Sequence, residues 1–408
     1  YQDSAGNVGI ASTQPQTRLD IQNGAFQIGP AGICTAPAFI PSSGQLSHRN
    51  LIINGDMRVA QRGTSSTTSG MQTVDRFLCQ FGGTDEALTQ SQHTLTSSDT
   101  GPYEEGFIKS FHIQNGNQTS GAGGADFVEI YTVLEDQDIS TSGWNYKSSS
   151  SYITISFWVK SSVAQKFPGF LYTNQAAAGD SYMYSYQIDN GSGGNLSANT
   201  WTKITHSIPG NSNLSFNNDN TRGLSIAVFP FNGTDTSTSD HTDGAWAAWS
   251  TSNKIKDMTS TWYTTNDATF EITGVQLEVG SVATPFEHRS FGDELRLCGR
   301  YYQKIAEGNQ KAVAFAFNYN TQYGDWVLQY PMGPMRSSPS IDMVQGSDYY
   351  HYHGGDVSCN LDGAFIIEQQ QNTQANIYFD PDAGLTAGGT GYIKTNNNAA
   401  YFAVSAEL

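Results

Sequence analysis

The stretch SYITISFWVKSS, residues 151–162, decides the fold class of this chain. Because side chains alternate across a β-strand, the even-numbered residues 152–158 share one face and the odd-numbered residues 153–159 share the other. The odd face is entirely apolar, whereas the even face carries hydroxyl groups. A strand that buries one face and turns the other to solvent is typical of an antiparallel sheet packed on a second layer.

Long alternating runs of the same kind fill residues 50–290. In SYMYSYQID, the side chains of Tyr182, Tyr184, Tyr186 and Ile188 share a face. The other runs are DFVEIYTVLED, TWTKITHSIPG, GLSIAVFPF and ATFEITGVQLEVG, and loops rich in Gly, Asn, Ser and Thr join them. This series predicts two packed antiparallel sheets, so we expect an all-β protein.

The regions that flank residues 50–290 differ in character. Residues 1–49 contain only very short alternating pieces, TRLDI and AFQIG, which are too small to form a sheet with its own core. We expect this arm to dock on the next domain or to interweave with copies of itself, the alternative being a flexible linker. After residue 290, SFGDELRLCGRYYQKI predicts a helix capped by Ser290 and a helical connector over 291–305. Residues 306–408 return to strand-like runs and predict a second, smaller β domain.

Composition and charge limit the classes of function that this chain can have. The chain has 408 residues, beyond the roughly 250 to 300 at which one core stops growing, so at least two folded units are expected. The formal net charge of −17 repels phosphate backbones, and nucleic acid is not an expected partner. No apolar run approaches the roughly 18 residues of a membrane span, and no membrane insertion is expected. The 4 cysteines lie far apart and are interpreted as free thiols.

Several motifs resemble the tail-fibre and fibre-like receptor-binding proteins of bacteriophages, notably marine and cyanobacterial ones. The segment GNVGIASTQPQTRLDI (6–21) is similar to the GNVGIGTxxPxxxLDV segment of such fibres, with Ala11 in place of a glycine. Further similar motifs follow in family order: NLIINGDMRVAQRGTS (50–65), TVDRF (73–77), ISFWVKSS (155–162), WTKITHSIPG (201–210) and ITGVQLEVGSVATPFEHRSFGDELRLCGRYYQ (272–303). The C-terminal PMGPMRSSPSI and AVSAEL resemble fibre ends more loosely.

The resemblance implies a jelly-roll, carbohydrate-binding-module-like domain over residues 50–290. It also implies a homotrimer, located in the virion, whose partners are other tail or fibre proteins and host surface polysaccharide or lipopolysaccharide. The preferred interpretation is non-catalytic adhesion, in which three weak sugar sites bind a repetitive glycan together. A structural virion decoration without glycan contact and a polysaccharide depolymerase stay open, since a pair of catalytic carboxylates has no linear signature.

The loop GTDTSTSDHTDGAWAAWSTSN combines aromatic rings with amide and carboxylate groups, as sugar-binding surfaces do. Trp246 and Trp249 are the predicted stacking platform. The predicted hydrogen-bonding groups beside them are Asp240, His241 and Asp243. The alternative is that both tryptophans fold back and close one end of the sandwich.

Three other tryptophans, outside this loop, differ in their sequence context. Trp144, in TSGWNYKSS, is a second candidate for glycan binding. Trp158 and Trp201 lie within predicted strands and are interpreted as packing residues.

Two patterns suggest metal ligands. Glu135, Asp136 and Asp138, with Glu129 before them, offer oxygen ligands for a structural calcium ion, although an acidic solvated turn explains the same residues. His351 and His353 are two apart, so both imidazoles point to one side of a strand. On a threefold axis, three such pairs would bind a transition metal, as the His-x-His sites of some phage needle tips do, whereas the alternative is a polar surface strand.

Overall fold

The computed structural model describes residues 48–173, 181–355, 357–361 and 365–408, together with Gln2 and the four short N-terminal strands given below. The chain divides into two compact units, Tyr1–Leu46 and Ser47–Leu408. Among the residues described, no helix is long and apolar enough to cross a membrane.

The N-terminal unit contains a sheet of very short strands. In chain order they are β1 (Val8–Ile10), β2 (Leu19–Ile21), β3 (Phe26–Ile28) and β4 (Cys34–Thr35). β1 pairs with β2 in parallel, and the other two pairings are antiparallel. Strands within TRLDI and AFQIG are therefore confirmed, and the role of this arm in self-association stays a prediction.

The larger unit begins with a series of strands interrupted by one short helix. In chain order the elements are β5 (Ser65–Ser66), β6 (Leu78–Gly82), β7 (Thr89–Thr94), β8 (Lys109–Gln114), β9 (Phe127–Glu135), α1 (Asp136–Ser140), β10 (Tyr152–Ser161), β11 (Phe167–Thr173), β12 (Tyr182–Ile188), β13 (Thr202–Pro209), β14 (Arg222–Asn232), β15 (Ser237–Thr238), β16 (Trp246–Ala248), β17 (Ile255–Lys256) and β18 (Thr269–Val279).

Twelve of these strands form two antiparallel six-stranded sheets, and β15 and β17 form a separate two-stranded sheet. The first sheet has the order β13-β10-β18-β8-β7-β5, and the second sheet has the order β16-β12-β11-β14-β9-β6. Neighbouring strands are mostly distant in sequence, as β9 and β14 are, so the sandwich is built from long connections. The predicted all-β, jelly-roll-like sandwich is confirmed.

The core lies between the two sheets, where the alternating pattern placed it. The odd face of β10, from Ile153 to Val159, is buried, and so are Tyr184, Tyr186 and Ile188 of β12. Fully burying an apolar side chain such as Ile, Val or Phe contributes about 1.5 to 3 kcal/mol, so these inward positions stabilise the packing of the two sheets.

A helix and a second set of strands follow. Their bounds are α2 (Phe291–Cys298), β19 (Tyr302–Glu307), β20 (Ala312–Asn318), β21 (Gly324–Gln329), β22 (Ser340–Met343), β23 (Tyr350–Gly354), β24 (Ser358–Leu361), β25 (Ile366–Glu368), β26 (Gln374–Phe379), β27 (Thr390–Thr395) and β28 (Tyr401–Ser405). The predicted cap is confirmed, because the Ser290 hydroxyl accepts a hydrogen bond from the Asp293 N–H. The helix ends at Cys298, however, and residues 302–305 belong to a strand, not to a helical connector.

The C-terminal strands form two further sheets. A three-stranded sheet has the order β19-β28-β22, and a seven-stranded sheet has the order β24-β23-β27-β20-β21-β26-β25. Their shared core contains Trp326, Tyr350, Tyr352, Phe379 and Phe402. The strands predicted in residues 306–408 are therefore present, with β22, β23 and β24 in addition.

An ion pair with a fully buried carboxylate joins the sandwich to the turn between α2 and β19. Glu135, at the end of β9, is fully buried and accepts hydrogen bonds from Arg300 Nε at 2.6 Å and Arg300 Nη2 at 2.7 Å. The Tyr301 hydroxyl donates to the same carboxylate at 2.6 Å. Nearby, Arg62 and Arg76 both bind the carboxylate of Glu407.

Candidate functional site

The outward face of the second sheet carries large aromatic side chains. Tyr131 of β9 and Phe170 of β11 are both in register with Ala227 of β14, and Tyr172 lies two residues beyond Phe170 on the same face. The inward neighbours of these residues, Ile130 and Leu171, belong to the sandwich core. The strands are therefore apolar on both faces, and the outward aromatics need a cover or a ligand.

The segment between β14 and β18 supplies part of that cover. β15 and β17 pair in parallel, and Ile255 of β17 is buried against Phe170 and Phe229. Trp249, from the same segment, lies with its ring centroid 4.3 Å from that of Tyr172 and 6.0 Å from that of Phe170. Tyr131, Phe170, Tyr172 and Trp249 together are called the aromatic surface below. All but Phe170 are half-buried, so rings remain accessible there.

Three charged groups border the aromatic surface. Arg222 lies with its guanidinium carbon 6.0 Å from the Tyr131 ring centroid, and Lys254 lies with Nζ 5.5 Å from the Trp249 ring. Glu129 precedes Tyr131 by two residues and shares its face of β9. Burial raises the pKa of the Glu129 carboxyl group, and the positive charges of Lys254 and Arg222 oppose that rise.

This arrangement suits the chemistry of sugar recognition. The C–H face of a pyranose packs on flat aromatic rings, while its hydroxyl groups need donors and acceptors held at the ring edges. Tyr172 and Trp249 provide the rings, and Glu129, Arg222 and Lys254 provide polar groups beside them.

His241 and Asp243 lie on the same outward face and hold the covering segment in place. The Ser185 hydroxyl of β12 is 2.6 Å from His241 Nε2 and donates to Asp243 Oδ1 at 2.6 Å. Gln187 Nε2 donates to Asp243 Oδ2 at 2.9 Å. These two predicted site residues are thus engaged with strand β12, whereas Asp240 is exposed on the loop. Contact of any of the three with a glycan stays a prediction.

Trp246 does not join Trp249 in one platform. It lies on β16, opposite Tyr184, and packs against the sandwich core, while its indole N–H donates to the Pro209 carbonyl at 2.7 Å. Trp249 packs on the opposite, outward side of the sheet. The prediction of a paired platform is therefore wrong, because residues three apart in extended chain point to opposite faces.

The prediction that Trp144 binds glycan is wrong, because its side chain is buried. Trp144 is 3% exposed and packs in the sandwich core, with its ring edge against Tyr146. Its indole N–H donates to the Ser151 carbonyl at 3.3 Å. A ring covered on both faces has no surface for a sugar, so Trp144 is a packing residue.

The calcium prediction fails because its carboxylates face different partners. Glu135 binds Arg300, a cation that occupies the place expected for calcium. Asp136 begins α1 and accepts a hydrogen bond from the Asn218 N–H at 3.1 Å, and Asp138 follows within that helix. Burial and the Glu135 charge raise the pKa of Asp138 to about 6. Across the residues that the structure describes, no group of three His, Cys, Asp or Glu side chains is placed to hold a metal ion.

His351 and His353 lie on β23 and point to one side, as their spacing predicts. His351 Nε2 is 2.9 Å from the Ser358 hydroxyl and His353 Nδ1 is 3.2 Å from it. The His353 ring also lies 5.3 Å from the Tyr392 ring. A shared metal site would need further copies of the chain, so it stays a prediction.

Sequence reasoning missed several of the aromatic residues that the sheets present outward. Tyr131, Phe170 and Tyr172 point outward from strands whose inward face is also apolar. A strand that is apolar on both faces was the sequence signal that could have identified them. Trp158 and Trp201, interpreted as packing residues, are half-buried on the outward side of the first sheet. Their indole N–H groups donate to Glu105 and Asp99, both at 3.0 Å, in the loop that crosses this sheet.

The seven-stranded sheet presents a second unusual surface, called the C-terminal apolar face below. Its outward side chains include Phe315, Phe317, Val327, Ile366 and Tyr392. Phe315 is 88% exposed and Val327 60% exposed. Phe315, Phe317, Val327 and Tyr392 line one open cavity of about 600 Å³, together with Asp325 and Asn376. Exposed apolar side chains in such a contiguous group mark an interaction surface.

Comparisons with known proteins find solved structures of low similarity. No protein-family model matches this sequence, and no curated protein matches it. The enzymatically active domain of tailspike protein 4 from bacteriophage CBA120 is similar over 56% of this chain, with TM-score 0.29 and 11% identity. This chain covers only 21% of that domain's length.

Two carbohydrate-binding modules are also similar. The CBM22-1 xylan-binding domain from Paenibacillus barcinonensis covers 60% of this chain and is itself fully covered, with TM-score 0.27 and 10% identity. A family 11 carbohydrate-binding module from Clostridium thermocellum covers 55% of this chain and is 98% covered, with TM-score 0.26 and 14% identity. At these scores, the ligands of the three proteins are not transferred to this chain.

Proposed function

We propose that this protein binds a polysaccharide through the aromatic surface on the second sheet. The observation that carries the proposal is the half-buried pair of Tyr172 and Trp249, 4.3 Å apart, outside the core and beside Glu129, Arg222 and Lys254. Aromatic rings that a sandwich does not need for its core, with polar groups at their edges, support a sugar-binding role.

The role proposed is binding without catalysis. Hydrolysis of a glycosidic bond uses two carboxyl groups flanking the bond. Among the residues described, the charges that act on Glu129 come from the cations Lys254 and Arg222, which supports binding over hydrolysis by a pair of carboxylates. A depolymerase would release reducing ends from the bound polymer, and an assay for these ends separates the two activities.

We further propose that the protein is part of a virion appendage and attaches it to the host surface. The support is the sequence resemblance of residues 6–21, 50–65 and 272–303 to phage fibre proteins. Three copies in one appendage would bind a repetitive glycan with an avidity well above that of one site. A purely structural decoration would lack this binding.

The C-terminal apolar face is the proposed contact between copies, and its occupant is a second copy of this chain. Most of the surface of a chain with net charge −17 repels other copies, whereas this face is dominated by apolar side chains. The face is also complementary to itself. Its strands present His353 and Lys394 toward one flank and Asp325 and Glu368 toward the other. Head-to-tail contact would join the two flanks, and a contact of this type closes into a trimer when it turns each copy by a third of a full rotation.

Replacing Trp249 with alanine tests the glycan-binding proposal. We expect the full-length protein to bind at least one polysaccharide on an array of bacterial surface glycans. The Trp249→Ala variant should lose about tenfold or more of its affinity, because a central aromatic anchor contributes about 2 kcal/mol or more. Trp201→Ala, which removes a half-buried tryptophan from the first sheet, is the matched control and should retain binding. If no glycan binds, or if Trp249→Ala binds as the wild type does, the aromatic surface is not the site.

A further inference from the structure

We propose that the polysaccharide bound by the aromatic surface is acidic, with carboxylate groups on its sugars, as in a polyuronate. This inference rests on the proposed function and adds the chemical class of the ligand. It depends on two cations at the aromatic surface, Arg222 and Lys254, that share one nearby carboxyl group, Glu129, and form no ion pair within 4.0 Å among the residues described.

Several buried or half-buried cations elsewhere in the chain are held by carboxylates. Arg300 binds Glu135, Arg76 binds Glu407, and Lys160 contacts both Asp99 and Glu271. Such pairing offsets the cost of removing a charge from water.

Arg222 and Lys254 differ from this pattern. Among the residues described, neither makes an ion pair within 4.0 Å, and neither donates a side-chain hydrogen bond. The Arg222 Nε atom is buried and has no hydrogen-bond partner within the part of the chain that the structure describes. A buried donor without a partner costs about 1 to 3 kcal/mol, which a ligand oxygen at this atom would recover.

The positions of the two cations match what a stacked sugar would require. Each lies within 6.0 Å of a ring of the aromatic surface, Arg222 beside Tyr131 and Lys254 beside Trp249. A sugar stacked on these rings would carry its ring substituents toward the cations. The planar guanidinium of Arg222 can donate two parallel hydrogen bonds to a carboxylate, which a neutral hydroxyl group cannot accept in the same way.

The charge balance favours the same ligand. Two cations and one carboxyl group, Glu129, border the surface, whereas the whole chain carries a net charge of −17. An acidic polymer is repelled by most of the protein and attracted at this place. The site thus selects both the ligand and its position on the sandwich.

The test compares an acidic with a neutral polymer. Binding of alginate and of a neutral mixed-linkage β-glucan to the full-length protein is measured by calorimetry at low and at high salt. We expect alginate to bind at least about tenfold more tightly than the glucan at low salt, with the difference shrinking as salt screens the charges. Arg222→Gln and Lys254→Gln should each weaken alginate binding about tenfold, as the loss of one charge-assisted contact predicts.

The control variants and the combined results distinguish failure of the acidic-ligand proposal from failure of the glycan-binding proposal. Lys147→Gln removes a cation from an exposed turn and should bind alginate as the wild type does. Arg222→Lys should recover part of the affinity lost in Arg222→Gln, because lysine restores the positive charge but cannot donate the two parallel hydrogen bonds of a guanidinium group. Equal binding of glucan and alginate overturns the acidic ligand and leaves the glycan-binding proposal standing. If neither polymer binds and no glycan on the array binds, the proposed function itself is overturned.

Discussion

Replacing Glu135 with alanine should lower the free energy of unfolding by about 3 to 5 kcal/mol. The Glu135 carboxylate is fully buried and accepts hydrogen bonds from Arg300, Tyr301 and Gln137. Its removal leaves the Arg300 guanidinium without its partner and the buried Tyr301 hydroxyl without an acceptor, and each unpaired group adds its own desolvation cost. Chemical denaturation monitored by tryptophan fluorescence measures the change.

The matched control for this prediction is Glu307→Ala. Glu307 pairs with Lys304 at 2.9 Å, but its side chain is 63% exposed. An exposed pair contributes about 0 to 1 kcal/mol, so this variant should unfold almost as the wild type does. If both variants lose the same small amount of unfolding free energy, the ion pair between Glu135 and Arg300 does not hold the sandwich to α2 and β19.

The stability that Glu135 contributes should also depend on pH. Burial raises the pKa of this carboxyl group, but the hydrogen bonds from Arg300 and Tyr301 and the Arg300 charge outweigh burial, so the pKa is lowered overall. A group with a lowered pKa in the folded state stabilises the protein above its unfolded pKa of about 4.3 and loses that contribution as the pH falls through the folded value. The difference in unfolding free energy between wild type and Glu135→Ala should therefore be constant near neutral pH and shrink below about pH 4. A difference that grows on acidification would contradict this assignment.

Introducing a charge into the C-terminal apolar face should dissociate the protein into single chains. The proposed contact buries Phe315 and Val327 against a second copy, and burial of the new ammonium group in Val327→Lys would cost several kcal/mol. We expect light scattering to give the mass of three chains for the wild type and of one chain for Val327→Lys. Phe315→Ser should weaken the association in the same direction without adding charge.

Val282→Lys is the control for this second prediction, because Val282 is 62% exposed but lies outside the face. That variant should keep the mass of the wild type. A wild type that is a single chain at all concentrations would rule out the proposed contact. If Val327→Lys leaves the mass unchanged but abolishes polysaccharide binding, the face binds glycan instead of another copy.

The sequence predicted the buried side of the sandwich better than its outward side. Alternation alone identified Ile153, Ile155 and Phe157 as core residues, because the hydrophobic effect acts on every inward position alike. The same rule would have separated Trp246 from Trp249, since they are three residues apart. Which outward residues meet, such as Tyr172 and Trp249, depends on how a long loop returns to the sheet, and no local pattern encodes that.

The sequence also did not predict the ion pairs between residues that lie far apart in the chain. The acidic run around Glu135 suggested calcium, but the cation that binds Glu135 is Arg300, 165 residues further along the chain. Arg76 and Glu407 are separated by 331 residues. Such pairs are set by the topology of the sheets, so a sequence shows the charge that needs a partner but not the partner.

The aromatic surface has two parts of different origin, and this matters for how its specificity can change. Tyr131 and Phe170 are fixed by the pleat of β9 and β11, whose opposite faces form the core. Trp249 and Lys254 belong to a segment held mainly by short ladders and by contacts to β12. Residues 247–254, which follow the core-packed Trp246, can therefore be substituted without disturbing the sandwich, much as antibody loops vary on a constant framework. Randomising that segment and selecting by display on polysaccharide beads would turn this chain into a scaffold for new glycan reagents.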